Sequence, residues 1–231
     1  MRDVPKVGGT KDVNLAKLAA TEPTHVIVNI DENERPTVEK IARSIPNVIV
    51  THPLIPEDNI ALFHLLGHVF ARPREAEELS QSLVTALRSA RDVGQRVAPE
   101  SVLYLIWKNP WMTVSRDTYI SAMLATVGWR TEPVQTDRRY PEVSEDDPIW
   151  GNVDRVLLST EPYSFGEEHC EALTKSGALR SPARLIDGEM TSWYGTRAIH
   201  GLRYLSALRS NALPLNVQSN VFIGLTNNLV R

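Results

Sequence analysis

The sequence predicts an α/β protein built on parallel sheet, from three observations. Short apolar runs rich in Val, Ile and Leu recur along the chain, amphipathic stretches of helical period separate them, and one helical pattern near the middle is much longer than the rest. Continuous apolar strands alternating with helices suit a sheet covered on both faces, where neither side of a strand meets water.

In chain order, residues 14–20 read as a helix, 25–30 (HVIVNI) as a strand, 37–44 as a helix and 47–51 (NVIVT) as a strand. From residue 58 to about 93 the pattern stays helical without any strand, broken only at Arg72-Pro73-Arg74. Pro73 is excluded from a helix interior but suits a first turn, so two helices meet there. The second carries Ala76, Leu79, Leu83, Leu87 and Ala90 at three- and four-residue spacing, a single apolar stripe. At 1.5 Å per residue it spans roughly 28 Å. That length serves equally as a strut between two lobes or as a crossover helix within one sheet. Beyond it, 102–107 (VLYLIW), 155–159 (RVLLS) and the weaker 184–186 read as strands, with helices over 118–127, 167–174 and 196–208.

Composition bounds the function. The 231 residues are 42% hydrophobic and 23% charged, with a net charge of −3. These values suit an ordinary globular protein and give no electrostatic pull toward nucleic acid. No apolar stretch approaches the roughly 20 residues that cross a bilayer, and the N-terminus lacks the apolar core of a signal peptide. Cys170 is the one cysteine, so no internal disulfide forms.

Aromatic residues are unevenly placed. All five Trp and all six Tyr follow residue 100, and many sit just past strand ends. Trp107 and Trp111 stand in WKNPW, Tyr163 in STEPYSF, and Trp193 and Tyr194 in DGEMTSWYGTR. Ligands of open α/β sheets bind beyond the carboxyl ends of the strands, so this set reads as a binding wall, although rings packed over the sheet edge give the same pattern. Trp129 and Trp150, away from these loops, read as structural. No catalytic constellation is present: there is no G-x-S-x-G, no Walker A loop and no G-x-G-x-x-G. Gly8-Gly9-Thr10-Lys11 lacks the strand and spacing of a phosphate loop. His64 and His68 share a helix face, but without the glutamate of a zinc protease or a third ligand they do not make a metal site. His169 and Cys170 are adjacent and so point apart on a helix, which argues against a thiol catalyst.

Taken together, the blocks VGGTKDVNLAKLAATEPTHVIVNIDEN, VLYLIWKNPWMTVSRDTYI, RYPEVS, VLLSTEPYSF and DGEMTSWYGTRA resemble the helical-backbone metal receptors. These are substrate-binding proteins of ABC importers for cobalamin, ferric siderophores and haem, and the later blocks look most like the cobalamin branch. The resemblance implies two small Rossmann-like lobes joined by a long backbone helix, with the solute held between them. It places an N-terminal lobe over 1–71, the backbone helix over 72–97, a C-terminal lobe over 98–209 and a divergent tail over 210–231. Family members begin with a further strand–helix unit, so the first lobe is expected to be shortened. A monomeric, non-enzymatic, periplasmic protein is implied, needing no cofactor, with cobalamin as cargo and an ABC permease as partner. Trp107, Trp111, Tyr163 and Trp193 are expected as the apolar wall. Tyr140, Glu161, Tyr194 and Arg197 are expected as polar contacts, with Lys11 and Asn29 contributing from the first lobe. Glu32, Glu34 and Glu189 are the expected permease-docking carboxylates. A ferric-siderophore or haem binder, or a cytosolic corrinoid-handling module without a permease, remains the alternative.

Overall fold

The computed structural model describes residues 4–134 and 137–210; the tail expected over 210–231 lies, beyond Ser210, outside them. The chain divides into two compact units, one ending at Pro53 and the other beginning at Leu54.

The first unit holds helix α1 (Leu15–Ala20), strand β1 (His25–Asn29), helix α2 (Arg35–Ala42) and strand β2 (Asn47–Thr51). The Asn14 side chain accepts the Lys17 N–H at 2.9 Å and so starts α1. Strands β1 and β2 pair in parallel, from His25 opposite Asn47 to Asn29 opposite Thr51. Val28, Ile41 and Ile45 are buried here, while Ile27 and Val50 remain about half exposed. Two strands bury too little for much stability of their own.

The second unit opens with α3 (Asp58–Val69) and α4 (Pro73–Arg96), which meet where Pro73 occupies the first turn of α4. The apolar stripe of α4 is buried at Ala76, Leu83, Leu87 and Ala90, and α4 packs along both α3 and α9 (Thr196–Arg209), the last helix of the described residues. Because α3 packs on α4, it belongs with the second unit, which begins at Leu54.

The sheet of this unit comprises β3 (Glu100–Trp107), β4 (Met112–Thr113), β5 (Trp129–Thr131), β6 (Arg155–Ser159) and β7 (Arg184–Ile186). Strands β3, β6 and β7 run parallel in that order. The free edge of β3 is shared by β5, parallel at its start, and β4, antiparallel at its end. Period-2 alternation sends Val102, Tyr104 and Leu157 into a core roofed by α4, α5 (Tyr119–Ala125) and α9. It sends Leu103, Leu105, Val156 and Leu158 into a second core, with α7 (Glu167–Lys175) over the opposite face. The short α6 (Ile149–Asn152) brings Trp150 to that second core, and α8 (Gly188–Ser192) leads out of β7. Gly201 of α9 lets α8 approach: a Cβ there would lie 2.0 Å from the Met190 carbonyl oxygen.

A buried-edge ion cluster ties the amino ends of the strands together. Glu100 accepts Arg155 Nε at 2.5 Å and the Trp129 indole N–H at 2.9 Å, and pairs with Arg209 at 3.0 Å. Burial alone would raise the Glu100 pKa, but these hydrogen bonds and the charges of Arg155 and Arg209 outweigh it and hold the carboxyl below its usual range.

Candidate functional site

Because β3, β6 and β7 are parallel, the loops leaving their carboxyl ends emerge together. Those loops carry the exposed rings. Trp107 closes β3 and is 40% exposed; its ring meets Tyr163 edge-on at 5.4 Å. Trp193 follows α8 and is 50% exposed. Its indole N–H donates to Glu161 Oε1 at 2.5 Å, and the Ser192 hydroxyl donates to the same oxygen at 3.3 Å. Glu161 and Tyr163 lie two residues apart after β6, so the Trp107–Tyr163 pair and the Trp193–Glu161 pair are both anchored on the loop leaving that strand. The Arg197 guanidinium lies 5.8 Å from the Trp193 ring centre and pairs with Glu189 at 3.0 Å.

Glu161 is held along its whole length. The Ser159 hydroxyl donates to its carbonyl oxygen at 2.6 Å. Gly188 leaves the space its stem occupies, since a Cβ there would stand 2.5 Å from Glu161 Cγ and 2.6 Å from Ser159 Oγ. Beneath, the fully buried Tyr104 hydroxyl donates to Ser159 at 2.9 Å and lies 2.5 Å from the Thr191 hydroxyl. Burial pushes the Tyr104 hydroxyl up to about 12, which keeps it a neutral donor.

Trp107 and Tyr163 adjoin a buried aromatic layer. Trp111 is 8% exposed, stacked on Phe165 at 6.0 Å and edge-on to Trp150 at 5.6 Å. Tyr163 leans on Phe165 at 4.5 Å. His169 presents its ring to both Tyr163 and Phe165 and accepts the Gly166 N–H through Nδ1 at 3.1 Å. Trp111 thus stands in the core and not on the wall expected of it: the bulge between Leu105 and Trp107 and the hairpin into β4 turn it inward.

Of the other expected polar contacts, Tyr140 and Tyr194 pack against the α4–α9 core, Tyr194 edge-on to Tyr119 at 6.4 Å. In the first unit, Lys11 Nζ donates to the Asp31 carbonyl at 2.6 Å. Asn29 is spent on the Asp31 N–H at 2.8 Å and the Thr51 carbonyl at 3.1 Å. Both therefore brace the loop after β1. Glu32 accepts the Thr10 hydroxyl at 3.1 Å in the same loop, and Glu34 caps the start of α2 without a side-chain bond.

Asn59 escapes sequence reading. Fully buried at the start of α3, it donates to the Pro56 carbonyl at 2.8 Å and to the Tyr119 hydroxyl at 3.1 Å, and accepts the Gly195 N–H at 2.6 Å. It therefore fixes the turn just after Trp193. Its sequence context, a polar residue after Glu57-Asp58 and just before the apolar run IALF, gives no sign of this burial.

His68 Nδ1 hydrogen-bonds the His64 carbonyl at 2.7 Å, so the two imidazoles do not converge. Among the described residues no three His, Cys, Asp or Glu side chains are grouped to hold a metal. Burial pushes the Cys170 thiol up to about 11, far from a reactive thiolate. No helix of the described residues is long and apolar enough to cross a membrane.

Comparison with known proteins adds the family. The periplasmic binding protein family model matches residues 1–157. Curated proteins give no match. Among solved structures, the periplasmic vitamin B12 binding protein BtuF of Vibrio cholerae superposes with a TM-score of 0.76 at 14% identity, over 90% of this chain and 82% of that one. A periplasmic haem binding protein from Pseudomonas aeruginosa gives 0.74 at 19% identity, over 94% and 82%. An ABC transporter substrate-binding protein from Listeria monocytogenes EGD-e gives 0.68 at 13%, over 85% and 80%. At these identities the likeness establishes the fold and leaves the solute open.

Proposed function

The chain belongs to the periplasmic binding protein family, and from that premise we propose that it is the solute-binding component of an ABC importer whose cargo is a corrinoid, cobalamin. The observation that carries this reading is the exposure of Trp107, edge-on to Tyr163, and of Trp193, bonded to Glu161, on the loops at the carboxyl ends of parallel strands. A corrin is broad and apolar across its ring and fringed with amides. Flat rings address the first, and fixed carboxylate and hydroxyl groups address the second. No resident cofactor is required, because the chelate is itself the cargo. The vitamin B12 binding protein shares the fold, and so does the haem binding protein.

Charge favours the corrinoid. On the loops that bear the exposed rings, Arg197 is neutralised by Glu189, and the Lys108 ammonium lies over the buried Trp111 ring at 5.4 Å. Haem, with its two propionates, or an anionic ferric siderophore would want converging cations. The test is to incubate the purified protein separately with cyanocobalamin, haemin and a ferric hydroxamate siderophore, pass each over a desalting column and record the visible spectrum. Cobalamin co-eluting with the protein supports the reading. Haem or siderophore retained in its place moves the solute to another class, and retention of none overturns the proposal.

A further inference from the structure

We propose that Glu161 is the specificity-determining residue of the aromatic face, selecting neutral or cationic chelates against anionic ones. This inference rests on the chelate-binding reading above and adds to it a rule for charge. Three features single the residue out. Its Oε1 already accepts two donors, the Trp193 indole N–H at 2.5 Å and the Ser192 hydroxyl at 3.3 Å. The stem is packed against Gly188, where no Cβ fits. Its backbone carbonyl is pinned by Ser159, which is in turn fixed by the buried Tyr104. A carboxylate so restrained cannot swing away from an incoming anion, and it stands at the edge of the most exposed ring on the face.

The neighbouring charges do not cancel it. Arg197, the nearest cation to the Trp193 ring by geometry, is paired with Glu189 at 3.0 Å. Lys108 sits over Trp111, on the buried aromatic layer. The third carboxyl of these segments, Asp187, is buried as the cap of α8, accepting the Met190 N–H at 3.2 Å. A solute laid on Trp193 therefore meets a fixed carboxylate at the ring's edge, while the guanidinium over that ring is already paired with Glu189. Cyanocobalamin carries no net charge and offers amide N–H donors to that carboxylate. Haem carries two propionates, and a like charge held a few ångströms from one of them opposes binding in a desolvated site.

The experiment measures dissociation constants for cyanocobalamin and for haemin with the wild-type protein, Glu161→Gln and Glu161→Ala. The amide keeps an acceptor for Trp193 and Ser192 and removes the charge, so the haemin-to-cobalamin ratio of dissociation constants should fall by about tenfold. Glu161→Ala also releases the indole, so it should weaken both ligands and red-shift Trp193 emission, which Glu161→Gln should not do. An unchanged ratio in Glu161→Gln overturns Glu161 as the determinant. Haemin bound more tightly than cobalamin by the wild type overturns the charge rule while leaving chelate binding intact. Binding of neither ligand by the folded wild type overturns both readings.

Discussion

Half of the Trp193 ring faces water although its N–H is already satisfied by Glu161. Covering that apolar surface with a flat solute contributes hydrophobic and stacking energy at little desolvation cost. Trp193→Ala should therefore weaken cobalamin binding by about 1–3 kcal/mol by calorimetry while leaving the melting temperature nearly unchanged. Trp111 presents the opposite case. Closed between Phe165 and Trp150, it should cost about 3–5 kcal/mol of fold stability on truncation to Ala, seen as a large drop in melting temperature. The Glu100 cluster adds a pH dependence. Its folded carboxyl titrates below the ordinary value of 4.5, so its contribution is full above that pH and is lost as pH falls through the lowered value. Glu100→Gln should be less stable at neutral pH and lose less melting temperature than the wild type between about pH 6 and pH 3. At this scale the sequence reveals ring type and loop position but not orientation. Trp107 and Trp111 stand in one five-residue motif, and only the bulge and the β4 hairpin send one outward and the other inward.

Among the elements, those with enough length to show a period were legible. The helices α4 and α9 and the strands β2 and β6 fall where apolar spacing puts them, because burial enforces the same period along the whole segment. The two-residue β4, three-residue β5, four-residue α6 and five-residue α8 were not, since segments that short display no period. Of these, α8 matters most, because it delivers Trp193. Its placement depends on Gly188, Gly201 and a tether from α3 through Asn59. Asn59→Ala leaves the Gly195 N–H and the Tyr119 hydroxyl without this partner in a buried setting. It should cost about 1–3 kcal/mol of stability and weaken solute binding with it, as read by chemical denaturation and calorimetry on one preparation.

For the molecule as a whole, membership of the periplasmic binding protein family and the α/β fold follow from long blocks of sequence, whereas the solute depends on a handful of side chains. Docking to a permease is a further proposal, and the structure alters how it is tested. Glu189 is already paired with Arg197 beside Trp193, so reversing its charge disturbs the solute face as well. Glu32 and Glu34 belong to the first unit, so Glu32→Lys with Glu34→Lys is the cleaner variant. It should retain cobalamin binding while abolishing uptake in vesicles bearing the cognate permease. Uptake that survives both reversals removes these two residues from the docking surface. The central claim, that Trp107 and Trp193 form the face on which a corrinoid lies, is tested most directly by titrating cyanocobalamin into the wild type, Trp107→Ala, Trp193→Ala and Trp129→Phe. The account predicts saturable one-to-one binding, weakened by about 1–3 kcal/mol in each of the first two variants and nearly unchanged in Trp129→Phe. Equal affinity in all four proteins, or no binding by the folded wild type, would contradict it.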